Sequence, residues 1–220
     1  MEDNNLKVIK ELEKTVEFFN QLGIDFISKM SSSKSADYSE LKKRILNCQR
    51  CALARTRKNA VPGEGNIDTD LMFVGEAPGG DEDIQGKPFV GKAGQLLTRI
   101  INAMTFERKD IYITNIIKCR PPHNRNPYSE EIDKCKGYLL KQIDMINPKV
   151  IVTLGKVASD FFIRSTKGMT SLRGEFYDFG NIKVMPTFHP SYLVRNPGNK
   201  QIKKMVWEDM KKVMVLLGKK

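Results

Sequence analysis

Four short apolar runs, each followed by a polar turn and then by a helix-period pattern, constrain this 220-residue chain more than any other feature. They span 70–77 (DLMFVGEA), 110–117 (DIYITNII), 149–155 (KVIVTLG) and 182–188 (IKVMPTF) and read as buried strands. Between them, Leu96, Leu97, Ile100, Ile101 and Met104 line one helix, and Ile132, Cys135, Leu139 and Ile143 line another. Val157, Phe161 and Phe162 suggest a short third. A last helix at 199–217 carries Ile202, Met205, Val206, Met210, Val213 and Leu217. Strands alternating with helices predict an α/β fold, a three-layer α/β/α arrangement with a central four-stranded, mainly parallel sheet. A hairpin around 175–184 is expected before the last strand.

Ahead of this body, Ile9, Leu12, Val16 and Phe19 have helical spacing, and the polar stretch SSSKSADYS at 31–39 reads as a linker. The expected division is therefore a helical extension at 1–36 and a catalytic body at 37–220, with a further helix at 38–47 ending at the first cysteine. Lys and Arg outnumber Asp and Glu by 37 to 26, a formal charge of +11. Such an excess favours a polyanionic partner, because binding releases condensed counterions; a lysine-rich solvated surface accounts for it equally well. No apolar stretch approaches the ~20 residues of a membrane span. The polar N-terminal segment MEDNNLKVIKELEK is no secretory signal, so an intracellular, cytoplasmic, nucleoid-associated protein is expected.

In open α/β sheets, ligands sit outside the carboxyl ends of the strands. The segments there are GEAPGGDED, NIIKCRPPHNRNP, GKVAS and HPSYLVRN. The first opens a stretch with six glycines that leads toward a helix near Gln95; Phe89 and Val90 within it are apolar, and an aromatic on such a loop is a platform for stacking a base. In the second, Asn115 closes an otherwise apolar strand. Its amide either satisfies backbone or reads a base edge: it can accept from uracil N3–H and donate to O4, where cytosine presents the opposite pattern. In the fourth, His189 directly follows a strand and is either a turn cap or a donor to a developing anion. Leu193 and Tyr192 suit a wedge in a vacated base stack or ordinary packing, and Arg195 suits a phosphate. Cys48 and Cys51 form a C-x2-C pair, with Cys119 and Cys135 further along. Four thiolates in an intracellular chain suit zinc or an iron–sulfur cluster, and spacing does not choose between them.

Taken together and in order, GEAPG, GKPFVGKAG, TNIIKCRPPHNRNP, HPSYL and the four cysteines resemble the family 4, iron–sulfur, uracil-DNA glycosylases over roughly residues 40–216. The resemblance implies hydrolysis of the N-glycosidic bond of uracil in single- or double-stranded DNA, releasing uracil and leaving an abasic site. It implies Phe89 stacked on an extruded uracil, Asn115 on its edge and His189 on O2. Glu76 and Asn124 would position or activate water, and Glu82 would support the pocket, with Gly75 and Ala77 also substrate-binding. Cys48, Cys51, Cys119 and Cys135 would hold a structural [4Fe–4S] cluster. A non-catalytic or covalently trapping uracil-DNA-binding protein of the same fold is the alternative.

Two positions depart from the superfamily's better-known members. Ala77 stands where they carry Asp, which moves water handling to Glu76. Gly79 stands where they carry a Tyr that blocks the thymine methyl, which leaves thymine exclusion to other residues. A related branch traps DNA through a loop histidine that aligns with Asn124, so His123 reads as a neutral substitution. A monomer is expected, and the extension at 1–36 is a candidate docking segment for a replication clamp, although Gln21, Ile24 and Ile27 lack the paired aromatics of a clamp-binding box.

Overall fold

The structure, a computed structural model, describes residues 33–219. The docking segment anticipated in the extension therefore lies outside the described residues, apart from residues 33–36. Contacts divide the chain into two units, Met1–Glu40 and Leu41–Lys220. Helix α1 (Lys34–Leu46) begins four residues before the expected helix and takes in part of the presumed linker. Ser33 starts it, its carbonyl accepting from Ala36 N–H and Asp37 N–H, with Asp37 in the positive first turn.

In the second unit, the four expected strands are β2 (Leu71–Gly75), β3 (Tyr112–Asn115), β4 (Val150–Leu154) and β6 (Ile182–Thr187), all parallel and in the order β3-β2-β4-β6. Two antiparallel edges complete a six-stranded sheet: β5 (Tyr177–Phe179), which forms the expected hairpin with β6, and β1 (Glu64–Gly65) beside β3. Two residues are too few to show an alternating pattern, so β1 left no mark in the sequence.

One face of the sheet, with Phe73, Ile113 and Val152, packs against Leu97 and Ile101 of α3 (Lys92–Ala103) and Met210 and Val213 of α8 (Lys200–Leu216). The other carries Tyr112 and Thr114, which meet Gln142 of α4 (Ser129–Ile146). Helix α5 (Lys156–Phe162) follows β4, and the short α6 (Met169–Leu172) precedes the hairpin. From β2 the chain goes to β3 on one side and later to β4 on the other, so the carboxyl end of β2 is the topological switch point where open sheets bind ligands. No described helix is long and apolar enough to cross a membrane.

Two short helices sit in segments read as loops. Helix α2 (Gly80–Gln85) fills the glycine-rich stretch: Asp81, Glu82 and Asp83 suit its first turn, Glu82 reaches back to Gly79 N–H, and Gly86 ends it at φ 69°. Helix α7 (Pro190–Arg195) follows His189, whose Nδ1 accepts from Ser191 N–H, with Pro190 at its first position.

Candidate functional site

The segments after β2, β3, β4 and β6 surround one cavity of about 490 Å3. Of the expected residues, Glu76, Ala77, Glu82, Phe89, Asn115, Asn124, His189 and Arg195 line it, and Gly75 packs behind Asn115 and Phe89. The Phe89 and His189 rings lie 5.7 Å apart, tilted by 35°. Gly75 and Asn115 are register partners. A Cβ on Gly75 would fall 2.4 Å from Asn115 Oδ1 and 2.5 Å from Phe89 Cζ, so only glycine leaves both side chains room there. Asn115 is 1 % exposed, and its Oδ1 is the one buried side-chain nitrogen or oxygen among the described residues without a hydrogen-bond partner. Buried acceptors are almost always satisfied, and an orphan beside a cavity marks the place of an absent donor.

Phe89 adopts φ 52°, the left-handed region that costs a non-glycine residue ~1–3 kcal/mol. Both sides of it are held. Arg108 pairs with Glu64 of β1 and donates to the carbonyls of Pro88 (2.8 Å) and Phe89 (3.2 Å). Glu82 accepts from the N–H groups of Gly79, Val90 and Gly91 at 2.9–3.1 Å. Glu82 thus clasps the loop that carries the aromatic ring.

His189 caps α7 and faces the cavity at once. Its Nδ1 receives Ser191 N–H (3.1 Å) with Ser191 Oγ at 2.7 Å, which puts the imidazole proton on Nε2. Burial lowers its pKa to about 4, with Arg195 adding to the shift and Glu82 opposing it. The ring is neutral at physiological pH, with one N–H to give. Burial raises the Glu76 carboxyl above its usual range. Asn124 (φ 56°) stands at the exposed rim, its Oδ1 accepting from Arg120 Nε at 2.8 Å. His123, exposed at φ 56°, is not among the lining residues.

Leu193, expected at the DNA, lies on α7. It is 4 % exposed and packs with Phe188, Ile202 and Val206, because α7 turns that face onto α8. The exposed apolar side chain of this turn is Tyr192, at 39 %. Ser191, Arg125, Asn126 and Lys156 also line the cavity, and sequence reasoning did not single them out. Ser191 is the second residue of α7, and its N–H and hydroxyl both meet the capping His189. Arg125 forks onto Glu131 (2.9 and 2.7 Å) and stacks on Tyr128, so it reads as built-in scaffold.

The four cysteines are free thiols and line a second, smaller cavity. Arg57 ties its walls together, donating to Cys119 Sγ (2.9 Å), Leu46 O (2.9 Å) and Cys48 O (2.8 Å). Burial pushes the Cys119 thiol up to about 11, against the Arg57 guanidinium, and raises Cys135 as well. Burial also opposes the Cys48 thiolate, but hydrogen bonds from Tyr138 and Arg50 outweigh it and lower its pKa. Among the described residues no three His, Cys, Asp or Glu side chains are arranged to hold one metal ion. Four cysteine sulfurs around one cavity are the donor set that a zinc ion or an iron–sulfur cluster takes.

The sequence model of the Uracil DNA glycosylase superfamily matches residues 62–211. Among the curated relatives named Type-4 uracil-DNA glycosylase are the following three. The protein of Thermotoga maritima is 48% identical over 80% of this chain and 92% of its own length. That of Saccharolobus solfataricus is 45% identical over 80% and 84%, and that of Archaeoglobus fulgidus 41% identical over 82% and 94%.

Proposed function

The chain belongs to the uracil-DNA glycosylase superfamily, and on that premise we propose that the cavity at the strand ends is the slot in which it hydrolyses the N-glycosidic bond of uracil in DNA. It is a DNA-repair enzyme: it releases uracil and leaves an abasic site. The observation that carries the assignment of the slot is the orphaned, buried Asn115 Oδ1. Uracil N3–H supplies the missing donor, and the Asn115 amide N–H group meets O4. Cytosine offers an acceptor and a donor in the reverse places and leaves both amide ends unpaired.

The base reaches the slot only after leaving the duplex stack. Phe89 covers one face of it. As the C1′–N1 bond breaks, the bonding pair passes to uracil, and charge gathers at O2, where the neutral His189 Nε2–H donates. The sugar becomes oxocarbenium-like. Glu76, with its raised pKa, and Asn124 hold the water that adds to C1′, and the water proton passes to Glu76 or to solvent. Arg195, which makes no ion pair among the described residues, takes a phosphate at the rim, and the exposed Tyr192 stands where the extruded base leaves a gap.

Cys48, Cys51, Cys119 and Cys135 would hold a [4Fe–4S] cluster, which would tie together the loop after α1, the segment after β3 and α4. The test of the slot is incubation with a uracil-bearing oligonucleotide followed by alkali cleavage. Wild type yields strand breaks at uracil and none at cytosine, and Asn115→Ala loses ~10²-fold or more in rate. Equal cleavage by Asn115→Ala would remove Asn115 from base reading.

A further inference from the structure

Lys118 plays no part in the chemistry above, yet it is 1 % exposed. All three of its ammonium donors are used: Nζ lies 2.7 Å from Thr114 Oγ1, from the Asn115 main-chain carbonyl and from Gln142 Oε1. These acceptors are neutral. A buried ammonium among neutral acceptors is disfavoured against an apolar side chain of the same volume, so its retention asks for a reason beyond packing.

Two contacts of this residue point to one. Cys119 follows it in the chain, and it lines the cysteine cavity together with Cys119 and Cys135. Its side chain holds the carbonyl of the peptide between Asn115 and Ile116, while the N–H of that peptide donates to Gly75 O at 2.9 Å. The peptide plane is thus pinned at both ends, and the plane sets the direction in which the Asn115 side chain leaves the backbone. Gln142 completes the frame: it sits on α4, two turns from Cys135, and its Nε2 donates to Pro62 O (2.8 Å) and Tyr112 Oη (2.9 Å).

We infer that Lys118 is a positioning residue that couples the cysteine site to base reading, fixing the Asn115–Ile116 peptide to the frame that the cysteines assemble. With a cluster bound, the ligating sulfurs of Cys119 and Cys135 would be anionic and would supply the opposite charge that its hydrogen-bond acceptors lack. The inference rests on the assignment of Asn115 as the reader of the uracil edge.

The test is a double-mutant cycle of Lys118→Met and Asn115→Ala, read by single-turnover uracil excision, by NMR-detected binding of free uracil, and by iron content with visible absorbance. Lys118→Met keeps its iron and its cluster absorbance, but excision and uracil binding each weaken by about tenfold to a hundredfold, as a displaced amide requires. In the Asn115→Ala background the same substitution changes either readout by less than about twofold, because the interaction it positions is already gone. Additive losses overturn the coupling and leave Lys118 a general stabiliser. If Lys118→Met does not hold iron, Thr114→Val, which removes one Nζ acceptor and keeps the side-chain shape, is put through the same cycle. Non-additive loss there supports the inference, and additive loss overturns it. A wild type that binds free uracil and excises none from DNA would sink the enzymatic reading, while the binding cycle still decides this one.

Discussion

Replacing Gly75 by Ala adds one methyl group where the site has no room for it. The new Cβ falls 2.4 Å from Asn115 Oδ1, 2.5 Å from Phe89 Cζ and 2.9 Å from Phe89 Cε2. Non-bonded heavy atoms rest at ~3.5–4.0 Å, so each neighbour must retreat by about 1 Å. Neither is free to do so. Asn115 is fully buried, and Lys118 and the β2 pairing hold its backbone. Phe89 is 6 % exposed, and Arg108 and Glu82 grip the loop on either side of it. Overpacking of this kind costs ~1–3 kcal/mol of stability. A displacement of about 1 Å at a reading group costs ~10²-fold in rate. Gly75→Ala is therefore expected to fold with a lowered melting temperature and to form abasic sites ~10²-fold more slowly in single-turnover assays on a uracil-bearing oligonucleotide. Gly137→Ala is the control, since nothing lies within 4 Å of a Cβ there and it sits inside α4. Excision by Gly75→Ala within about threefold of wild type would refute the claim that Phe89 and Asn115 meet at this point.

Three other outcomes follow from the same geometry. His189→Ala loses ~10²–10³ in excision rate, as loss of one donor to a developing anion does; a loss below about tenfold contradicts its role. In a His123→Asn variant, His189 is the chain's one imidazole, and NMR should find it neutral with the proton on Nε2 from pH 7 down to 5. Its folded pKa of about 4 lies below the usual 6.5, so its contribution to stability is fully present above pH 6.5 and is lost as pH falls toward 4, ~3 kcal/mol in all. Half-protonation near pH 6.5 would contradict its burial. Arg57→Met removes the guanidinium that joins Cys119 Sγ to the carbonyls of Leu46 and Cys48, and the purified variant should hold less than about half the iron of wild type; full iron content would show that the cysteines need no such tie.

Much of the fold could be read from local patterns. Strand runs and helix faces repeat with periods of two and 3.6 because backbone stereochemistry sets them, so β2, β3, β4, β6, α3, α4 and α8 appear where the apolar spacing puts them. The short pieces were not readable. Strand β1 is two residues long, α2 lies within a glycine-rich run, and α7 looks like a loop because its capping histidine and proline are also turn formers. Among the site residues, those legible were polar or aromatic side chains out of place in an apolar or glycine-rich setting: Asn115 at a strand end, Phe89 among glycines, His189 after a strand.

The sequence by itself determined which segments pair and alternate, and hence that the post-strand loops gather at one end of the sheet. Only the tertiary structure decided what those side chains do there. Leu193 is turned inward by α8, thirteen residues further on, where Val206 meets it. Phe89 is held in a left-handed conformation by Arg108 and, behind it, by Glu64. Lys118, one lysine among many in the chain, becomes a fully buried link between two sites because Gln142 and Cys135 arrive on α4. Periodicity is a property of neighbours along the chain, whereas burial, desolvation and the orientation of a single amide depend on atoms brought together from far apart in it.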